Sequence, residues 1–276
     1  MKLANAAASF DTTVATDAYN SSVSFLCQIE PQVLFKIDGV AVRKRAMSAA
    51  PSVVLPLRGV VVIDGEKYLI GVGTPDMFKG KPIRRNYVIQ GADTQAQLTS
   101  IAAELAGTAR TAVWSALVFN RYLPESADSS KYPPQYQIFL AGSESAPQDS
   151  IALIGTQWYL IKDSYISESG LRIALANEIR GTVFETVNVG SKVYDPLTDT
   201  YSGSSVSTKI MRVRWQEHFV YLSKGQIDYV RGDEQVFILK SAMTQKPADT
   251  LTLSDGTWQV LDVQDEGLVW SCHVRR

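Results

Sequence analysis

One short pattern occurs three times along the chain, and it constrains the fold more than any other feature. Residues 247–263 read PADTLTLSDGTWQVLDV, residues 147–163 read PQDSIALIGTQWYLIKD, and residues 56–70 read PLRGVVVIDGEKYLI. Each copy is a proline-led entry, an apolar run, a glycine-containing turn, an aromatic residue and a second apolar run. That order belongs to a β-hairpin, because Asp-Gly and related pairs supply the positive φ that a tight two-residue connection needs. The expected turn residues are Asp64 and Gly65, Gly155, and Asp255 and Gly256; the matching aromatics are Tyr68, Trp158 and Trp258.

Two of the copies resemble each other over a longer stretch. Gln137–Leu140 (QIFL) precedes Pro147, and Gln235–Leu239 (QVFIL) precedes Pro247 at a similar distance. The chain therefore reads as mainly β (α+β), built from hairpin-rich small barrel or sandwich units and internally duplicated as two related halves. The copy at 56–70 matches only in its Pro to Asp-Gly spacing and its tyrosine.

The 276 residues are enough for one or two domains with a sizeable core. A hydrophobic share of 45% and a charged share of 20% are those of a folded chain. The net charge of −1 gives no overall field toward nucleic acid or an anionic membrane, so such contact needs a local patch. No apolar run reaches the ~18 residues of a membrane span. The first twenty residues lack the apolar stretch of a signal peptide. Cys27 and Cys272 stand near opposite ends; the reading is two buried thiols in a reducing compartment, pairing only if the fold brings the ends together.

Along the chain, residues 1–20 read as a loosely ordered arm. A helix is expected near 94–106, where Leu98, Ile101, Ala102 and Leu105 recur at helical steps; 113–119 suits helix or strand. The polar, Pro/Ser-rich stretch 120–135 marks the expected boundary between an N-terminal half (1–122) and a C-terminal half (123–276). Thr182–Ser207 reads as a long exposed loop or extended hairpin.

No constellation points to catalysis. His218 and His273 lack any metal-ligand spacing, and no P-loop, dinucleotide fingerprint or nucleophile elbow is present. Asp262, Asp265 and Glu266, or Asp195 and Asp199, carry the oxygen chemistry for a hard cation, but solvated turns explain them more simply. Arg231-Gly232-Asp233 reads as a turn. No cofactor or metal is expected. The basic residues are more informative: Arg43, Lys44 and Arg45 form one cluster, Lys79, Lys81, Arg84 and Arg85 another, and the chain ends Arg275-Arg276. Such groups suit sequence-independent phosphate contact or ion pairing between subunits.

The closing segment, residues 236–276, resembles the ends of head–tail joining proteins of tailed bacteriophages, the head-completion or stopper class. The residues that carry the likeness are Pro247, Asp249, Asp255, Gly256, Thr257, Trp258, Val260 and Val263, with an echo at Pro147, Asp149, Gly155, Trp158 and Ile161. The resemblance implies a small β-barrel core assembled as a homo-oligomeric ring, sixfold or twelvefold, between portal or adaptor and tail proteins. It implies a virion protein of the neck, made in the host cytoplasm, non-enzymatic, away from membranes, and bordering the channel that holds packaged double-stranded DNA. The chain is long for that class, which leaves a tail adaptor or tail terminator as an alternative. From other classes, a nucleic-acid-binding β-barrel and a glycan-acting enzyme are the rivals.

Overall fold

Hairpin chemistry organises this chain three times over. The computed structural model describes residues 12–29, 33–37, 40–120, 135–147, 150–179, 181–191, 193–195, 197, 200–214, 220–221, 227–228 and 232–276. The first unit holds β1 (Thr12–Asp17), β2 (Ser24–Ile29), β3 (Val33–Ile37), β4 (Val40–Ala49), β5 (Val60–Ile63), β6 (Glu66–Phe78) and β7 (Lys81–Gly91). The second holds β8 (Thr94–Ser100), α1 (Ile101–Leu105), β9 (Thr111–Asn120), β10 (Gln135–Leu140), β11 (Ser150–Ile154), β12 (Gln157–Ile166) and β13 (Arg172–Ile179). The third holds β14 (Val183–Gly190), β15 (Val193–Asp195), β16 (Thr200–Ser202), β17 (Ser205–Arg214), β18 (Val220–Tyr221), β19 (Ile227–Asp228), β20 (Glu234–Leu239), β21 (Thr250–Leu253), β22 (Gly256–Asp265) and β23 (Val269–Arg275).

All three units share one topology. In unit two the strand circuit β8-β9-β10-β13-β12-β11 closes on itself as a barrel. In unit one the same circuit is β1-β2-β4-β7-β6-β5, with β3 added outside β4. In unit three it is β14-β17-β20-β23-β22-β21, with β15–β16 and β18–β19 as inserted ribbons. In each, four strands form a Greek key, the fourth returning beside the first, and the last two strands complete the wall. Unit three closes differently: Ala248 N–H donates to the Gly190 carbonyl at 2.9 Å, and Ser191 bridges Pro247.

The equivalence holds residue by residue. The fourth and fifth strands are joined by two residues in every unit, between Ile63 and Glu66, Ile154 and Gln157, and Leu253 and Gly256. The fifth strand then breaks register at the same place, just after Ile70, Ile161 and Val260. A bulge bends a strand and raises its twist, which a six-stranded wall needs in order to close. Inside each barrel sits the aromatic three residues past the turn: Tyr68, Tyr159 and Trp258, each buried in its own core.

Outward-facing residues of the fourth and fifth strands bind one unit to the next. Val60 and Leu69 of unit one pack with Ala116, Phe139, Ala141, Leu171 and Ile173 of unit two. Ile151 and Leu160 of unit two pack with Met211, Phe237 and Val269 of unit three. By register, Val60 corresponds to Ile151, Leu69 to Leu160, Phe139 to Phe237 and Leu171 to Val269. One head-to-tail junction is thus used twice. Only two residues separate β7 from β8 and three separate β13 from β14, which leaves little slack between units.

Several expectations change. The helix is confined to Ile101–Leu105, capped by Ser100, whose hydroxyl accepts the Ala103 N–H at 3.1 Å. Thr94–Ser100 is a strand, because Ala96 and Leu98 alternate inward with exposed Gln95 and Gln97, and both flanks are paired. Of the two readings of 182–207, the extended hairpin holds and the loop does not: β14 pairs with β17 from Val183↔Arg212 to Gly190↔Ser205. β9 and β10 pair directly across the expected boundary at 122/123, so the sheets divide the chain into three units instead of two halves. Thr12–Asp17, expected within an arm, is β1 and pairs with β2 and β5. Most of 120–135, His218 and Asp199 lie outside the described residues. No helix among the described residues is long and apolar enough to cross a membrane.

Candidate functional site

The fifth and sixth strands form a hairpin in every unit, and in unit one it is the longest. Unit two ends this ladder at Ile166↔Arg172 and unit three at Asp265↔Trp270, whereas β6–β7 runs on through Asp76↔Arg84, Met77↔Pro82 and Phe78↔Lys81. Its turn is Lys79-Gly80, with φ of +49° and +75°, the left-handed pair that joins strands tightly. Lys79, Lys81, Arg84 and Arg85 therefore lie on one projecting ribbon, all exposed. Met77, Phe78 and Ile83 are 57%, 49% and 56% exposed on the same ribbon, a large apolar surface for an element so far from the core. Arg84 pairs with Asp76, and its hydrogen bond, with a second from Asn86, holds the Asp76 carboxyl below its usual range. Lys79 Nζ stands 5.6 Å from the Phe78 ring centre.

The other basic cluster does not join it. Arg45 pairs with Ile89 on β7, four residues from the Arg85↔Ala49 pair, about 13 Å along the strand and away from the tip. The Arg45 guanidinium lies 5.8 Å from the Tyr68 ring. Arg43 and Lys44 belong to β4, and their side chains lie outside the described residues.

The turn residues fall close to expectation, with one shift. Asp64 and Gly65 form the first turn with φ of +51° and +84°, and Gly155 takes φ +61° in the second. In the third the two loop residues are Ser254 and Asp255, so Gly256, at φ +137°, opens β22 instead of sitting in the turn. Trp258 is buried and donates its indole N–H to Asp255 at 2.9 Å. Trp158 is not its counterpart. It faces outward at the junction of units two and three, 5.3 Å from Phe184 and 4.9 Å from the Arg110 guanidinium.

Sequence reasoning missed the junction residues. Arg58 of unit one meets Glu144 of unit two at 2.9 Å and stacks 3.8 Å over the Tyr19 ring. Gly71 runs so close to the β12–β13 turn that a Cβ would stand 1.9 Å from the Ser169 carbonyl oxygen; Val72 N–H donates to that oxygen at 2.7 Å. At the second junction Glu104 accepts two hydrogen bonds from Arg110, at 2.8 and 3.0 Å, and Lys209 of unit three donates to its backbone carbonyl at 3.0 Å. The Arg110 hydrogen bonds outweigh burial and hold the Glu104 carboxyl below its ordinary value. The available signal was the unbroken apolar run IFLA at 138–141, since a strand buried on both faces loses its alternation.

Unit three also encloses an ionic cluster. Arg212, 5% exposed, meets Glu185 at 2.8 Å, Glu234 at 2.7 Å and Asp255 at 3.2 Å, and lies 5.2 Å from the Trp258 ring. By register it stands where Leu117 and Ile29 stand in the other units. Each carboxylate is thus engaged by one buried guanidinium. Asp233, of the Arg-Gly-Asp tripeptide, is buried with His273 at 2.6 Å and Arg275 at 2.7 Å.

Among the described residues, no group of three or more His, Cys, Asp or Glu is placed to hold a metal ion. Asp265 is tied to Lys240 and caps the Gly267 N–H at 2.9 Å. An open cleft of about 220 Å³ in unit two is lined by Leu98, Ser100, Thr111, Glu144, Pro147 and Ser150, and Glu144 there is already bound by Arg58. Cys27 and Cys272 are free and buried in different units. No protein-family model, no curated protein and no solved structure matches the chain.

Proposed function

We propose that the chain is a non-catalytic structural protein that joins two larger assemblies, and that its setting is the neck of a tailed-phage virion as a head-to-tail connector or head-completion protein. The observation that carries this reading is the twofold use of one apolar junction, which fuses three barrels into a stiff body with a long ribbon projecting from its first unit. A stiff body transmits position and load between neighbours. The exposed Met77, Phe78 and Ile83 give it a contact element. The phage setting itself comes from the likeness of residues 236–276 to head–tail joining proteins. A tail adaptor or terminator would use the same features, and its neighbours in the particle separate the two.

Removal of the gene from its phage, followed by electron microscopy of the lysate, tests the proposal. Separate heads and tails, with emptied heads, are the expected result; intact infectious particles overturn it. The four cations of the β6–β7 ribbon favour a second reading, contact with DNA backbone. In that case the purified chain binds duplex DNA with log affinity falling against log salt by about 0.9 per phosphate contacted.

A further inference from the structure

The two internal junctions define a donor face and an acceptor face, and among the described residues the donor face of unit three and the acceptor face of unit one meet no further unit. On unit three the donor positions equivalent to Val60/Leu69 and Ile151/Leu160 are Thr250 and Gln259, both exposed. On unit one the acceptor positions equivalent to Phe139/Phe237 and Leu171/Val269 are Ser48 and Arg84. Apolar pairs at the joined faces thus become polar at the unjoined ones. Terminal repeats in an array carry polar outer faces where they meet water.

The hairpins at these ends differ in charge. Within the chain, the β12–β13 turn of unit two lies on the bulge of unit one, with Ser169 against Gly71 and Val72. The corresponding receptor on unit three is the β22 bulge at Leu261, 40% exposed, followed by Asp262, Asp265 and Glu266. Residues 261–270 contain those three acids and no Lys or Arg; Asp265 is paired with Lys240 of the adjoining strand end, which leaves Asp262 and Glu266 as the acids of the receptor that the test replaces. The hairpin that would lie on a preceding unit is the outer part of β6–β7, residues 71–85, with four cations against the single acid Asp76. Residues 162–172, the hairpin between them, hold two of each sign.

We propose that the chain binds a second copy of itself head to tail, the basic β6–β7 ribbon of one copy lying along the acidic β22 bulge of unit three in the other, in the geometry of the internal junctions. The proposal rests on the preceding reading of the chain as a structural joining protein. It adds which surfaces meet and why the contact is reversible: the contact is polar and ionic, where the internal junctions have an apolar centre. A heterologous contact of this kind closes into a ring or runs on as a filament, according to the rotation per step.

Sedimentation velocity of the full chain supplies the test. The wild type is expected to exceed its monomer mass of 30.3 kDa in low salt and to return to it near 0.5 M salt, where screening shortens to a few ångströms. A head variant (Lys79→Ser, Lys81→Ser, Arg85→Ser) and a tail variant (Asp262→Asn, Glu266→Gln) are each expected to weaken association at least tenfold while keeping the wild-type circular dichroism. Mixed together they form a 1:1 pair, since an intact tail on one meets an intact head on the other. A side-by-side symmetric contact cannot complement in this way. A wild type that stays monomeric at low salt, variants that associate as strongly as wild type, or a mixture that gives no pair each overturns the proposal. None of these results touches the particle-level test of the neck assignment, which fails or holds on the gene-deletion lysate alone.

Discussion

Tyr159 and Trp258 occupy the same position in successive barrels: each is the third residue after its two-residue turn, and each points into its own core, 5% and 3% exposed. Trp158, which aligns with Trp258 by eye, stands one residue out of phase and faces outward. A one-residue shift in a strand exchanges its two faces, so the two tryptophans have different jobs.

That difference is measurable. Trp258→Ala empties the centre of unit three and is expected to cost about 3–5 kcal/mol. Trp158→Ala removes a half-buried ring from the junction and is expected to cost roughly 1–2 kcal/mol by the area it uncovers. Urea titration followed by circular dichroism gives both values; equal losses would contradict the assignment of the two rings to core and junction.

Gly71 tests the first junction. An added methyl would stand 1.9 Å from the Ser169 oxygen, a backbone atom held by the Val72 N–H. Gly71→Ala is therefore expected to part units one and two locally and to expose the Val72 amide to hydrogen exchange. Gly91, with no neighbour within 4 Å of its would-be Cβ, is the control: Gly91→Ala leaves exchange at Val72 unchanged. Protection that survives Gly71→Ala would show that the close approach does not bind the units.

The hairpins were legible because turn chemistry is local: Asp64-Gly65 and Gly155 announce themselves wherever they occur. The threefold count was harder to read, for a physical reason. The signal shared by the second and third copies, QIFL against QVFIL, comes from strands buried on both faces, with Phe139 and Phe237 facing a preceding unit. No unit among the described residues packs on that face of unit one, where Ser48 stands in place of the phenylalanine. Its first and third strands therefore look unlike those of its sister units. The helix was over-read because Leu98, Ile101 and Leu105 satisfy helical spacing while Ala96 and Leu98 satisfy strand spacing, and only the pairing with β9 and β11 decides between them. The projecting ribbon was half legible: its cations stood out, but that they share one hairpin follows from the register of β6 and β7.

Arg212 sets a pH dependence. Burial pushes the Glu185 carboxyl up, but hydrogen bonds from Ser254 and Arg212 outweigh it and leave the group below its ordinary 4.5. Asp255 follows the same pattern from 3.8, with Trp258 and Arg212 as its donors. A carboxyl with a lowered folded pKa contributes stability that is present above the unfolded value and lost as pH falls through the folded one. Wild-type stability is thus expected to hold above about pH 5 and to decline below about pH 4. Arg212→Met strands the acids and is expected to cost about 3–5 kcal/mol at neutral pH. The deficit narrows in acid, where the stranded carboxylates take up protons. A deficit independent of pH would mean that Arg212 acts by packing alone.

The two cysteines report on the two end units separately. Cys27 is 2% exposed in unit one, and burial, aided by the nearby Asp64 charge, pushes its thiol up to about 11. Cys272 is fully buried in unit three, and burial with the Asp262 charge pushes it up to about 12. Alkylation needs both access and thiolate, so neither residue is expected to react with iodoacetamide at pH 8 in the folded chain. Labelling as urea rises then times the opening of each end by mass spectrometry of the two peptides. Because the junctions are apolar and the linkers short, both sites are expected to label over the same narrow range of urea. Labelling of Cys27 well before Cys272 would show that the first unit opens alone, and that the junction at Phe139 does not make the array cooperative.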